Sequence, residues 1–406
     1  MVNQNFIAKI EGHGSLDIDW KKNQVELNIH EGERLFEGIL VGRTAEEMHW
    51  ITPRICGVCP TAHNLASLMA LEDALDIKVS PLTNLLRDLM NCGQMIQSHA
   101  LHLFFLSLPD YLGIDRGTEL AKKNPAVFGI AISLKEVSDE IVRIVGGRIV
   151  HPTRTRIGGF HKVPTKIELK GLLKKLKATK PGAQAVVDLV AGIEFPEVKV
   201  DLQLVTQEGD KIIAVSSSNI KGRKETSIKN YKKDIEEEIR SYSTAKFGKY
   251  KGEEMMVGSL ARLAVFGDYK GYEIDFENPF YNNLAQAIEI LQYHQEAQEI
   301  IKQLLTIDMK ARIVKPGKNA SLRVIGTIEA PRGGLYHEVV LDPSTSSGYI
   351  IKEANIITPT VQNLTSIEKS AQALLNQTKN RSQEELERLI IMLVRAYDPC
   401  ITCSVH

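Results

Sequence analysis

The chain has no net charge, with 50 basic and 50 acidic residues among its 406. It therefore lacks the electrostatic footprint of a dedicated nucleic-acid binder. The one basic run, Lys221 to Lys233, is followed at once by the acidic stretch Asp234 to Glu238 and reads as a solvated face. No stretch approaches 18 uninterrupted apolar residues, and the opening MVNQNFIAKIEGHG has no apolar segment of signal-peptide length. No membrane span is expected, and the expected compartment is the cytoplasm unless a partner exports or tethers the chain. Internal repeats, low-complexity tracts and long flexible linkers are missing. So is a G-x-G-x-x-G fingerprint, which places any flavin or NAD(P) site on another chain. Cysteine is scarce, with five in all.

What is present is enough apolar sequence, 43% of residues, to bury a large core. Alternation of Leu16, Ile18 and Trp20, a turn at Lys21-Lys22-Asn23, and alternation of Val25, Leu27 and Ile29 predict a small antiparallel sheet. Helical spacing of apolar residues predicts helices from His63 to Leu75, from Leu82 to about Leu106, over 131–147 and 167–192, and from Leu284 to Leu305. A hairpin is expected between Glu197 and Ser216, turning at Glu208-Gly209-Asp210. A last helix opens on the capping box Ser382 and Glu385 and delivers the chain to Asp398-Pro399-Cys400. The expected class is α+β, mainly α, with a central bundle of long helices and small peripheral antiparallel sheets. One domain over 1–406 is expected, with a β lobe over about 1–35 and a peripheral β-containing lobe over about 196–275.

Four of the five cysteines form two C-x-x-C pairs, Cys56-Gly-Val-Cys59 and Cys400-Ile-Thr-Cys403. In a cytosolic chain such pairs point to metal or redox chemistry more than to structural disulfides. Cys92 is most simply a small buried apolar residue. A structural zinc site is the plainest use of four thiolates, but zinc ribbons keep their pairs close together, whereas here they stand near opposite ends of the chain. A thioredoxin-like dithiol needs one pair in a compact βαβ setting, which neither pair has. A redox metal site remains beside zinc on the residues alone.

The segments RICGVCPTAH (Arg54 to His63) and DPCITCSVH (Asp398 to His406) closely resemble the two signatures of nickel–iron hydrogenase large subunits. IEGHG near Ile10, FEGILVGR near Phe36, QSHALHLFFLSLPDYLG near Gln97, EAPRGGLYH from Glu329 and TPTVQN from Thr358 resemble further blocks of that family, in its order. The resemblance spans nearly the whole chain and is least diagnostic over about 196–275. It implies the fold of those large subunits and the reversible heterolytic splitting of dihydrogen into electrons and protons.

By that resemblance, Cys56 and Cys400 are terminal ligands of nickel, while Cys59 and Cys403 also bridge to iron. The iron carries carbon monoxide and cyanide. The Cys400 thiolate is the first base, Glu11 gates the proton, and Arg332 lies over the open position of the metals, oriented by Asp398. Thr360 hydrogen-bonds a cyanide and His63 donates toward a bridging sulfur. A separate magnesium is held by Glu37, His406 and a main-chain carbonyl near Ile356. Ser98 departs from the aspartate that membrane-bound uptake members carry, and the surrounding block looks more like the cytosolic bidirectional, NAD(P)-linked or sulfhydrogenase-like branch. Only Cys92 is left to ligate a cluster, so an iron–sulfur small subunit is implied, with further flavin and iron–sulfur subunits and maturation factors. Family precursors commonly extend past the final His, so a chain stopping at His406 is either mature or lacks the extension. A metal-free scaffold, like the related subunit of respiratory complex I, and a structural zinc protein are the competing readings.

Overall fold

The computed structural model describes residues 5–114, 117–269, 271–311, 313–315, 321–345, 348–378 and 381–406. Residues 1–4 and 270, at the margins of the two expected β lobes, lie outside that set. In chain order the helices that build the bundle and the site are α1 (Pro60–Ala74), α2 (Pro81–Leu101), α3 (Pro125–Gly146), α4 (Lys166–Ala191), α5 (Ser259–Phe266), α6 (Asn282–Thr306), α7 (Pro359–Gln377), α8 (Gln383–Ala396) and the single turn α9 (Ile401–Ser404), with shorter helical segments such as Phe36–Leu40 in the loops around them.

Helix α2 shows why the bundle forms. Ser80 caps it by accepting the Thr83 N–H, and Pro81 occupies the first turn, where its missing N–H costs nothing. Leu82, Leu86, Leu89, Met90 and Ile96 are then buried along it. Each such side chain contributes roughly 1.5–3 kcal/mol by leaving water. Helices α2, α3, α4 and α6 pack against one another as the central bundle. Helix α8 opens on the reciprocal Ser382 and Glu385 capping box expected from the sequence.

The sheets are small and peripheral. Strands β1 (Gly14–Asp19) and β2 (Gln24–Ile29) pair antiparallel with Leu16 opposite Leu27 and Ile18 opposite Val25. Strands β3 (Gln203–Glu208), β4 (Lys211–Ser216) and β5 (Asn219–Ser227) form an antiparallel meander, to which Met255–Met256 adds in parallel beside β3. Strands β6 (Arg323–Ala330), β7 (Gly333–Thr345) and β8 (Gly348–Ile357) form the third large element of sheet, and α1 packs on β6. That contact is so close that a Cβ at Gly326 would lie 1.9 Å from the Ala66 carbonyl oxygen. No helix among the described residues is long and apolar enough to cross a membrane.

The expected class therefore holds, with local departures. The hairpin begins at Gln203, not Glu197: Val198, Val200 and Leu202 are buried as their alternation implies, but they lie outside any strand. Helix α2 ends at Leu101 and continues as a π-helical stretch, His102–Ser107. At the start of that stretch His102 meets the buried Gln286 and the Arg395 carbonyl, polar partners that apolar periodicity does not register. The β6–β8 sheet has no counterpart among the expected elements.

Candidate metal centre

The two cysteine pairs meet in the interior. Cys56 and Cys59 sit in the loop that opens α1, and Cys400 and Cys403 flank and occupy α9. All four are buried free thiols whose sulfurs lie within 4.8 Å of one another. Cys56 and Cys400 approach to 3.3 Å, Cys59 and Cys403 to 3.3 Å, and Cys400 and Cys403 to 3.0 Å. The N–H groups of Val58 and Cys59, in the loop just before α1, both donate to Cys56 Sγ at 3.2 Å, which favours its thiolate form. Burial opposes ionisation of Cys56 and Cys400, yet hydrogen bonds with neighbouring thiols hold both below the ordinary thiol range. Cys59, through its bond to Cys400, and Cys403, through burial, are pushed well above it. Four soft donors at this separation suit a thiophilic metal centre, and a bound cation would draw off the remaining protons.

The chain ends are held together by main-chain contacts. Glu11 bridges to Cys400 in parallel, with its carbonyl accepting the Ile401 N–H at 2.9 Å. Its carboxylate accepts the Thr402 N–H at 3.1 Å and the Thr402 hydroxyl at 2.5 Å. Burial, then the negative charge of Cys400, raises the Glu11 carboxyl to about 8 against the opposing Thr402 bonds. Thr360 accepts the Cys400 N–H at 3.0 Å, so its oxygen already serves the cysteine loop and its hydroxyl hydrogen remains to be donated.

Arg332 occupies the second position of a two-residue hairpin turn, Pro331-Arg332, between β6 and β7. Gly333 follows at φ 130°, where a Cβ would lie 2.4 Å from Val257. The buried guanidinium donates to the Asp398 carboxylate and to the Asp398 carbonyl, each at 2.6 Å, and to Ser98 Oγ at 3.2 Å. Burial works against its charge, but Asp398 first and the cysteine thiolates next more than offset that and keep it protonated. Asp398 has a left-handed backbone, φ 54°, and takes a further bond from Gln286 at 3.1 Å.

His63 Nε2 lies 3.9 Å from Cys403 Sγ, and its Nδ1 meets His337 Nε2 at 3.1 Å. Burial drops His63 to about 3, so the ring is neutral and can donate from one nitrogen only. Glu37, Ile356 and His406 also converge. Glu37 Oε1 accepts the Ile356 N–H at 2.6 Å and lies 3.9 Å from His406 Nε2, which is 2.7 Å from the Ile356 carbonyl oxygen. One carboxylate, one carbonyl and one imidazole form a donor set that fits a hard divalent cation.

Three residues of the site carry no signal that apolar spacing or the cysteine motifs would flag. Arg34 donates to the carbonyls of Ile55 and Thr402, one residue before Cys56 and Cys403 respectively, and so ties the two cysteine loops together. His337 holds His63 and is itself 3.0 Å from Ser67 Oγ. Arg262 holds the carbonyls that precede Arg332. Arg34 lies two residues before the FEGILVGR block, and Arg262 is the lone charge of the apolar segment SLARLAVF, which is the one sign of burial the sequence offers.

A family model described as nickel-dependent hydrogenase matches residues 34–133 and 282–406. The alpha chain of sulfhydrogenase 1 from Pyrococcus furiosus is 34% identical, over 99% of this chain and 97% of its own. A chain of the F420-non-reducing hydrogenase of Methanothermobacter marburgensis is 30% identical, over 98% of this chain and 93% of its own. Among solved structures, a chain of an NAD+-reducing nickel–iron hydrogenase in the H2-reduced state superposes with a TM-score of 0.86 at 24% identity, covering 99% of this chain and 98% of that one.

Proposed function

The chain belongs to the nickel-dependent hydrogenase family, and from that premise we propose how its residues divide the work of oxidising dihydrogen reversibly. It is the catalytic large subunit, an oxidoreductase acting on hydrogen, and we read it as a single domain over 1–406 whose β lobes, at about 1–35 and 196–275, are peripheral. Cys56, Cys59, Cys400 and Cys403 would hold the nickel–iron centre. That centre, with carbon monoxide and cyanide on iron, supplies the redox and Lewis-acid chemistry that makes dihydrogen acidic.

The observation that carries the reading is the convergence of the four buried thiols with Glu11 and Arg332, both of which feel the cysteines' charge. Cys400 Sγ is the first proton acceptor, since a ligated thiolate retains lone pairs. Glu11 is hydrogen-bonded to Cys400 and takes the proton next, its affinity raised into the neutral range by burial and by Cys400. Arg332, fixed by Asp398 and Ser98, presents a permanent positive charge to the thiolate cluster. Thr360 and His63 would tune the centre, by donating to a cyanide and toward Cys403 respectively. Glu37, His406 and the Ile356 carbonyl would hold magnesium and, through it, the C-terminal turn.

Electrons must leave through another chain, because Cys92 is buried and solitary. The names of the relatives mark each as one component of a larger hydrogenase, which supports pairing with an iron–sulfur small subunit. Flavin and iron–sulfur subunits passing electrons to NAD(P), maturation factors and a cytoplasmic location complete the proposal, supported by Ser98 and its surrounding block. Metal analysis with infrared spectroscopy of the purified complex tests it: nickel and iron together, with cyanide and carbonyl bands, are expected. Zinc alone, or no metal, would sink the assignment.

A further inference from the structure

The Arg332 turn is held from behind by a buried cluster outside the thiolate site. Arg262, on α5, is 4% exposed and Glu289, on α6, is 2% exposed. Arg262 Nε and Nη2 form a fork on Glu289 at 2.6 and 2.7 Å, and Nη1 donates to Glu329 at 2.7 Å. The remaining reach of the same guanidinium goes to backbone: Nη1 to the Ala330 carbonyl at 3.0 Å and Nη2 to the Pro331 carbonyl at 2.9 Å. Those are the two residues directly before Arg332. Ser259 lies 3.3 Å from Nη2 and donates to Glu289 at 2.5 Å, while His99 Nε2 lies 2.9 Å from the same carboxylate. His99 neighbours Ser98, which touches Arg332 directly, so adjacent residues of α2 reach the clamp and the arginine it serves.

A desolvated guanidinium needs all its N–H groups met, and here they are spent on two carboxylates, a hydroxyl and two carbonyls of one turn. The ion pair with Glu289 uses Nε and Nη2 only, and the donors it leaves over reach Glu329 and the turn. We propose that Arg262 is a positioning residue for the reaction, clamping the Pro331-Arg332 turn so that the Arg332 guanidinium stands at a fixed place over the thiolate cluster. The proposal rests on the role given to Arg332 above. Lysine cannot replace the clamp, because an ammonium is a point donor with no planar fork.

The test uses the assembled holoenzyme carrying Arg262→Lys, Arg332→Lys and both together. With nickel and iron content kept, Arg262→Lys is expected to lower kcat for dihydrogen oxidation roughly 10- to 100-fold, the scale of a misplacement of about 1 Å, with KM for dihydrogen within about twofold. The double variant should be no slower than Arg332→Lys, since the clamp has nothing left to position. Losses that multiply in the double variant, or an unchanged kcat in Arg262→Lys, would overturn the proposal. Should Arg332→Lys run at the parental rate, the role of Arg332 falls, and backbone hydrogen exchange over residues 329–336 decides the clamp: faster in Arg262→Lys upholds it, unchanged refutes it. If Arg262→Lys does not assemble, Glu329→Gln serves instead, keeping an oxygen for Thr206 and the Gln207 N–H while removing the charge opposite Nη1. It should give a smaller loss, on the order of threefold, that disappears in the Arg332→Lys background; a loss that persists there counts against the clamp.

Discussion

Glu289→Gln perturbs the buried cluster with almost no change of shape. Burial would raise the Glu289 carboxyl, but the Arg262 charge and its two hydrogen bonds outweigh it and set it at about 2, against an ordinary 4.5. A depression of that size is worth about 3 kcal/mol at 1.36 kcal/mol per unit. This agrees with the 3–5 kcal/mol expected when a buried pair loses one partner. The folded-state value is the lower one, so the contribution is fully present above the unfolded value near 4.5 and is lost as pH falls through about 2. Over 406 residues, at roughly 2.1 cal/mol/K each, the unfolding entropy near the midpoint is about 0.85 kcal/mol/K. Glu289→Gln should therefore lower Tm by roughly 3–4 °C at pH 7, read by scanning calorimetry at a fixed scan rate. The gap from the parent should shrink to about half by pH 3. A shift under about 1 °C at pH 7, or a gap that does not close in acid, would refute the assignment of an ionised Glu289 paired with Arg262.

Three further outcomes are expected. Glu11→Gln keeps an oxygen for the Thr402 N–H but removes the titratable group, so nickel and iron should be retained while exchange of dihydrogen with solvent deuterons falls about 10²- to 10⁴-fold; gas-phase mass spectrometry of HD reads it, and parental exchange rules Glu11 out. Arg34→Met removes both of the bonds that Nη2 makes to the Ile55 and Thr402 carbonyls, so docking of the two cysteine loops should weaken by about 2 kcal/mol. Nickel per chain, measured on purified protein, should drop accordingly, and full occupancy would show that the loops do not depend on Arg34. Ser98→Ala removes one neutral hydrogen bond to Arg332 while Asp398 remains, so kcat should fall no more than about fivefold, or about 1 kcal/mol; a larger drop in steady-state assays would mean that Ser98, rather than Asp398, orients the arginine.

The helices are legible in the sequence because their signals are local. Pro81 after Ser80, and Ser382 with Glu385, are start signals written within four residues, and the apolar stripes between them need no partner to be recognised. The cysteine pairs are legible as a set because soft ligands in two C-x-x-C motifs have few uses. Their neighbours emerge only through the family resemblance, since nothing local marks Glu37 or Thr360. The β6–β8 sheet escapes such a reading although β6 alternates partly, with Val324, Gly326 and Ile328: its packing partner is α1, some 250 positions earlier, and a glycine suited to that close approach weakens the strand signal.

The clamp is invisible in the sequence for a deeper reason. Arg262, Glu289 and Glu329 are spread over 67 positions, and each is an ordinary residue type on its own element. What makes them functional is that folding removes all three from water together. A charge desolvated alone would be lost to neutralisation, so the sequence must commit several groups at once or none. The same holds for Arg34, whose carbonyl partners lie at opposite ends of the chain. Both arginines spend two bonds on main chain beside a functional side chain, Cys56 and Cys403 in one case and Arg332 in the other. A guanidinium used this way fixes backbone position without placing another titratable group next to the thiolates, which leaves Glu11 as the group beside Cys400 whose proton affinity lies in the neutral range.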